Sequence, residues 1–416
     1  MSVDVRIEEA NKKVMNILTG ARPVWKDIRK AVDVIPGMTK QTILIPGPPI
    51  APDRLPIPVK TSVCGAVVHE GLAKDTESAW KLVLKGEIKV EPAQDHNCSC
   101  AASMVTSASM PVFVVEDPVF KGQGFCTLHP GLKPKVLRWG FYDEEVENDL
   151  QHLEDPFSVV LGEAVRRSGG IDLVNVLSKT AGMGDENHNR QPAASMYLAL
   201  QMLPYLLDTK HPDRDLVIKE YCINHRFFLH VMMAGVGSIT ATAKQVPFST
   251  VMVGMGGNGV EFGIQVAATG NTWYTTEAPL ILGIFLEPTY TKDDLLGYLG
   301  DSCVTEVYGL GGMSALAGPA YAQTTGATFA DARDRTERAR AVSLCEHTFA
   351  RIPWDDFRGL PVGIDVQKAV ELDILPISHG GSALKTGGQG GAGATEIPMN
   401  CFKKALQGVH RALSNQ

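Results

Sequence analysis

The chain has 416 residues, with 39 Lys+Arg against 46 Asp+Glu, a net charge of −7 and a pI near 5.9. That acidity and the lack of any basic run exclude sequence-independent binding to nucleic acid or anionic lipid. The apolar fraction of 44% excludes global disorder, and the longest apolar run, Ala278–Leu286, is far below the ~20 residues of a membrane span. The first residues, Met1 to Arg6, are charged early and lack an apolar signal core, which predicts a cytoplasmic protein. Eight scattered cysteines predict reduced, mostly buried thiols.

In chain order, apolar residues at Ile7, Ala10, Val14, Ile17 and Leu18 predict a first helix, ended by Arg22-Pro23. Thr42–Ile45 predicts a buried strand. A third element spans 60–68 and runs into a helix over 76–84, and strands follow at 87–90 and 111–116. This alternation predicts an N-terminal α/β domain, residues 1–144. Three- and four-residue apolar spacing over 143–153, 157–167, 171–181, 193–207 and 216–236 predicts a mostly helical domain, 145–246. Beyond it, residues 245–332 hold one basic residue, Lys292, and fourteen glycines lie between Val251 and Gly326. Residues 249–253 and 260–268 flank a glycine loop, 254–259, and predict a hairpin. A long helix over 331–350, a glycine-rich loop over 376–393 and a last helix over 400–413 complete a C-terminal α/β domain, 247–416. The fold class is therefore α/β with mixed α+β character: two glycine-rich domains flanking a small helical one.

Five constellations could carry chemistry. In the first, an extended 96–100 puts His96, Cys98 and Cys100 on one face, but a fourth zinc ligand is missing. A polar loop in which His96, Asn97, Thr106 and Ser107 face a small substrate fits better, beside the plain alternative of a capped turn. The second, Gly182 to Arg190, crowds Asp185, Glu186, His188 and Arg190 ahead of an apolar helix. One such residue suffices for a cap. The rest can clamp an anion through Arg190 and move protons through Asp185 and His188. The third is the 254–259 loop with Asn258 and Glu261; it lacks the helix and Lys of a phosphate loop. The fourth holds Gly300-Asp301-Ser302-Cys303 and Glu306, and the fifth Ser378-His379 and Lys385. His225 opens a further helix, with an ordinary cap as the alternative. No G-x-S-x-G elbow occurs, which leaves a serine-hydrolase reading unsupported.

Together these blocks resemble the YlbE-like family, a domain of unknown function. The resemblance rests on Gly47-Pro48-Pro49, GAVVHEGLA at 65–73, His96-Asn97 with TSASMP ending at Pro111, and MGDENHNR at 183–190. FFL at 227–229, NGVEFGI at 258–264, GDSCVTEVYGLGG at 300–312, GID at 363–365 and the 378–393 loop continue it in the family's order. Departures fall at Cys98–Ala102, His225, His230, Gly257 and Ala383-Leu384-Lys385. The resemblance implies α/β domains flanking a helical one. Some members are subunits of an oxamate carbamoyltransferase in anaerobic allantoin catabolism, acting beside FdrA-type proteins similar to acyl-CoA synthetases.

The leading expectation is a transferase acting on a carbamoyl or related amide or acyl group. His96 and His188 shuttle protons, Asp185 or Glu186 orients an imidazole, and Arg190 holds a carboxylate or phosphate. No metal or other cofactor is required, and Mg²⁺ can enter with phosphate. The alternatives are a non-catalytic subunit docking an FdrA-type partner and a metal-dependent ureide hydrolase. The helix over 193–207, apolar nearly all round, and Gly235 and Gly237 predict a homodimer through the helical domain.

Overall fold

The computed structural model describes residues 3–129, 131 and 133–414, and is a mixed α/β structure with several sheets. Met1 and Ser2, part of the N-terminal reading, lie outside the described residues. The helix Val3–Gly20 buries the predicted Ile7, Ala10, Val14, Ile17 and Leu18. A parallel pair, Thr42–Ile45 with Lys89–Pro92, is linked through helices Ile57–His69 and Thr76–Leu84. A five-stranded sheet runs in the order Cys98–Ser99, Gln123–Thr127, Pro111–Glu116, Val24–Lys30, Ile171–Asp172. Across it lies the helix Phe227–Ala243, buried at every position from Phe227 to Thr240. Trp25, Phe113, Phe227 and Tyr221 stack between sheet and helices, with successive ring centroids 5.5, 5.3 and 4.6 Å apart.

The C-terminal part holds a four-stranded sheet in the order Tyr274–Glu277, Glu261–Val266, Met252–Asn258, Leu299–Gly300. A three-stranded sheet, Leu282–Phe285, Gln389–Glu396, Ile377–Ala383, stands beside it. The largest apolar core contains Val14, Phe113, Leu198, Phe228, Val304 and Val362, and so draws on all three predicted segments.

Several elements differ from the sequence reading, each for a physical reason. The hairpin forms, but 254–258 is strand rather than loop, and the turn is Asn258-Gly259-Val260. Its glycines serve close packing: a Cβ on Gly257 would stand 2.2 Å from the Tyr298 carbonyl oxygen. The 376–393 loop is likewise two paired strands; a Cβ on Gly391 would lie 2.1 Å from the Ile284 oxygen. The predicted helix 331–350 ends at Val342, where Ser343 turns extended and starts the strand Ser343–Ile352 against Arg358–Ile364. The predicted helix 216–236 is two, Arg214–Ile223 and Phe227–Ala243, broken at Asn224-His225-Arg226. Residues 60–68 belong to the helix Ile57–His69. The strands Val24–Lys30 and Gln123–Thr127 carry no alternating apolar pattern and escape sequence reading.

The two glycines invoked for assembly pack inside the chain: a Cβ on Gly235 would meet Leu173, and one on Gly237 the Asn97 carbonyl. The helix Pro192–Leu207 is not buried on every side. It covers Ala194, Leu198, Met202 and Leu206 and leaves Met196, Leu200 and Leu207 exposed along the opposite stripe.

One carboxylate joins the N-terminal segments to the C-terminal ones. Asp301, fully buried, accepts from the Gly47 N–H at 2.9 Å, the Cys100 N–H at 3.0 Å and the Gln94 side-chain amide at 2.6 Å. Its own N–H donates to the Cys100 carbonyl at 2.8 Å. Next to it, Gly300 at φ +119 allows the Ala102 backbone to come so near that a Cβ would lie 2.5 Å from the Ala102 nitrogen.

Two stability predictions follow from this packing. Gly124→Ala puts a methyl 2.1 Å from the Ala234 oxygen in the buried helix. We expect a loss of about 3 kcal/mol or more, read as a lower urea midpoint; an unchanged midpoint would show that the helix yields. Burial pushes the Asp301 carboxyl up to about 7, against its N–H donors. An unfolded Asp titrates near ~3.9, so between about pH 4 and 7 the folded chain binds the extra proton, and this group's contribution to stability declines as pH rises. Asp301→Asn removes that titration. The stability difference between wild type and variant should therefore move in the variant's favour from pH 5 to pH 8, and a constant difference would contradict the assignment.

Candidate functional site

Three stretches far apart in sequence meet behind a small cleft of about 40 Å³. The loop 182–191 supplies Glu186 and His188, the turn 300–303 and short helix Val304–Val307 supply Ser302 and Glu306, and the strand Ile377–Ala383 supplies His379. Glu186, His188, Glu306 and His379 are all buried. His188 Nδ1 lies 2.8 Å from Glu306 Oε1, and its Nε2 lies 2.8 Å from Ser302 Oγ. Glu306 Oε1 also accepts the backbone N–H groups of Gly312 and His379, both at 2.9 Å. With two backbone N–H groups already donating to it, Oε1 serves as the acceptor for His188 Nδ1–H, and a neutral ring with its proton there presents Nε2 to the serine hydroxyl.

The second imidazole is set by the same logic. The Arg335 guanidinium donates to His379 Nε2 at 3.3 Å, so His379 Nδ1–H donates to Glu186 Oε2 at 3.2 Å. Glu186 Oε1 takes the Arg190 N–H at 2.6 Å and the His188 N–H at 3.3 Å. Burial pushes the Glu186 carboxyl up, but its hydrogen bond to His379 and the nearby imidazoles prevail and hold it below the ordinary range. Glu186 thus fixes the loop that carries His188.

The other wall of the cleft is cationic. Arg138 and Arg226 line it together with Ala102, Trp139, His188, Asn189, Ser302 and Gln389. Among the described residues neither guanidinium has a carboxylate within ion-pair distance; Arg138 contacts His129 Nε2 at 3.3 Å and lies over the Trp139 ring, 5.4 Å from its centroid, and its Nε has no hydrogen-bond partner. Burial, then repulsion from Arg226, brings Arg138 down to about 9. His129 Nε2 also contacts His230 Nδ1 at 2.9 Å, and burial holds both rings well below the usual imidazole range, so both are neutral.

The remaining residues singled out in the sequence are distributed as follows. Asp185 accepts the Ala193 and Ala194 N–H groups at 2.6 and 3.2 Å and so caps the helix Pro192–Leu207; burial raises its carboxyl to about 6. Arg190 donates to the Gly184 carbonyl and lies 3.7 Å from Asp185, part-exposed. His96 does not join His188: it bonds Glu91 at 2.8 Å and the Pro36 carbonyl. Asn97 is a left-handed cap at φ 55. Thr106 sits in a buried knot with Thr127 and Cys100, and Ser107 Oγ is buried without a partner among the described residues. Asn258 closes its own hairpin by accepting the Val260 and Glu261 N–H groups. Glu261 pairs with Arg54 at 2.8 Å, and both line a separate groove of about 850 Å³ with Lys385. His225 is exposed, and its carbonyl accepts from Ser195. Among the described residues no three His, Cys, Asp or Glu side chains converge as metal ligands, and Asp185, Glu186 and His188 point to three different partners.

Ser302, Arg138 and Arg226 are the residues that sequence reasoning did not place in the site. Ser302 lay inside a noted block, and its serine-specific signal was sought in an elbow motif. Here the serine, imidazole and carboxylate come from two segments 114 and 118 residues apart, a geometry that no local motif encodes.

The model of the family described as oxamate carbamoyltransferase subunit AllG matches residues 88–302, which include Arg138, His188, Arg226 and Ser302. The chain is 32% identical over 407 residues to the uncharacterized protein YahG of Escherichia coli K12, covering 97% of this chain and 86% of that one. It is 30% identical to the oxamate carbamoyltransferase subunit AllG of the same organism, covering 98% of each. A crystal structure of a conserved protein of unknown function from Enterococcus faecalis V583 superposes with a TM-score of 0.94 at 33% identity, covering 99% of both chains. The order of blocks that resembled the YlbE-like family is therefore real kinship, and the chain belongs to the family of the oxamate carbamoyltransferase subunit AllG.

Proposed function

We propose that the protein is a cytoplasmic enzyme subunit that transfers a carbamoyl group between phosphate and the amide or amine nitrogen of a small carboxylate-bearing acceptor, in ureide or allantoin-type nitrogen catabolism. The observation that carries this reading is the pair Arg138 and Arg226, without carboxylate partners among the described residues, facing the cleft that holds His188 and Ser302. Retaining a buried guanidinium without a counter-charge costs stability, and an anionic substrate supplies the missing charge. Planar guanidinium forks match both carboxylate and phosphate. His188 is the proton shuttle and Glu306 orients it; Glu186 and His379 hold the loop behind it. Membership of the AllG family supports the carbamoyl group as cargo. It also supports a partner subunit, because the relative's printed name describes a subunit, and we propose an FdrA-type protein for that place. The chemistry needs no metal, and Mg²⁺ accompanies phosphate where it is present.

The test is carbamoyl transfer from carbamoyl phosphate to oxamate and to related short carboxylate amides, measured with and without an FdrA-type partner. We expect transfer by the complex. Absence of transfer to every acceptor, with the partner present, would reject the reading. Arg138→Met and Arg226→Met should each raise KM for the anionic substrate on the order of 10- to 100-fold. Arg138→Met should also leave the melting temperature unchanged or higher, because it removes an unpaired buried charge; a lower melting temperature with an unchanged KM would make Arg138 structural.

We further propose a homodimer through the exposed stripe of helix Pro192–Leu207, where Met196 and Leu200 are 61% and 66% exposed. Light scattering should give twice the 44.8 kDa of one chain. Leu200→Glu should return the mass to one chain, and a wild type that already scatters as one chain would refute the dimer.

A further inference from the structure

Three features compete for a role beyond the binding of an anion. The groove beside Arg54 is open and carries basic and acidic residues in near balance. The exposed stripe of the helix Pro192–Leu207 is the proposed dimer face. The third is the row Ser302–His188–Glu306, which has an order and a protonation pattern that anion binding does not require.

We propose that Ser302 is a nucleophile that carries the transferred group as an O-carbamoyl ester, activated by His188 with Glu306 behind it. This rests on the carbamoyl-transfer reading and deepens it from a direct transfer to a two-step one. Three observations support it. The distances, 2.8 Å on each side of the imidazole, are those of a nucleophile–base–orienter row. The tautomer is set in the useful sense, since Glu306 Oε1, already accepting two backbone N–H groups, takes the His188 Nδ1 proton and leaves Nε2 as the acceptor for the hydroxyl proton. The exposure is graded: Glu306 and His188 side chains are 0% exposed, while Ser302 is only part-buried and lines the cleft with Arg138 and Arg226. A serine that merely capped the turn would need neither a buried imidazole nor a carboxylate behind it.

The chemistry balances without any further reagent. Ser302 Oγ forms a bond to the carbamoyl carbon of carbamoyl phosphate while its proton passes to His188 Nε2. The bond from that carbon to the phosphate oxygen breaks, phosphate leaves with the electron pair, and His188 returns the proton to it. In the second half the acceptor nitrogen bonds to the carbamoyl carbon and gives one proton to Nε2. Ser302 Oγ leaves with the electron pair and takes that proton back. The guanidiniums of Arg138 and Arg226 hold the phosphate in the first half and the acceptor's carboxylate in the second, which explains why one cationic wall serves both substrates.

Two measurements on the full chain, with its partner where activity requires it, decide the matter. Methanesulfonyl fluoride is small and reacts with activated serines whatever the natural substrate. Peptide mass mapping should find the sulfonyl group on Ser302 in the wild type and none there in His188→Gln. Labelled phosphate should exchange into carbamoyl phosphate without any acceptor, and Ser302→Ala, folded by circular dichroism, should lose exchange and at least about 10³-fold in turnover. An unlabelled Ser302 in the wild type overturns the proposal, and so does a Ser302→Ala enzyme within a few-fold of wild type. Carbamoyl transfer that proceeds while phosphate exchange demands the acceptor also overturns it, in favour of direct transfer. Sulfonylation of Ser302 in a protein that transfers no carbamoyl group would uphold the activated serine and reject the carbamoyl reading.

Discussion

The Asp301 carboxylate is the interaction on which the site's geometry depends. Its two oxygens collect N–H groups from Gly47, Cys100 and Gln94, three points on the N-terminal segments, and its backbone answers Cys100 in return. A fully buried carboxyl is costly unless its lone pairs are filled, so this junction tolerates little displacement. Ser302 is the next residue, and Glu306 follows within one turn. Whatever fixes Asp301 fixes the position from which the serine faces the cleft. The close approach of Gly300 to Ala102 belongs to the same junction.

A second economy lies in how charge is arranged. The chain is acidic overall, yet its cleft wall is cationic and its floor holds two buried carboxylates. The floor is largely satisfied internally: Glu186 by His379 and the loop backbone, and Glu306 Oε1 by His188, His379 and Gly312, while Glu306 Oε2 is buried without a hydrogen-bond partner among the described residues. The wall is not. Imbalance of this kind concentrates electrostatic demand at one place, the place proposed for the anionic substrate. The neutral His129–His230 pair beneath Arg138 adds no charge of its own and so leaves that demand undiminished.

Much of the fold was legible where a local period existed. Thr42–Ile45 and Pro111–Glu116 match residue for residue, because short apolar runs between turn residues have few other uses. The polar crowd at 183–190, with Glu306 and His379, was legible as chemistry in waiting. What was illegible depends on long-range contact. Val24–Lys30 reads as polar because its partners, 111–116 and 171–172, supply the burial. The charged stretch after Val342 reads as helix until the strand 358–364 takes it into a ladder. His96 looked catalytic by composition, and only the fold reveals Glu91 and Pro36 as its partners. Arg138 has nothing in its neighbourhood of sequence to mark it; its meaning is the missing counter-charge, which is a property of space.

The row of Glu306, His188 and Ser302, extended through Glu186 to His379, ties together residues 114, 118 and 193 positions apart. Contacts of such separation are the last that a chain can make, since each requires the intervening loop to be closed already. Competence for chemistry then depends on long-range closure of the chain and on no single local element. A nascent chain that has not yet closed these loops lacks the juxtaposition of Glu306, His188 and Ser302. In a crowded cell this withholds the proposed nucleophile until the cationic wall stands opposite it.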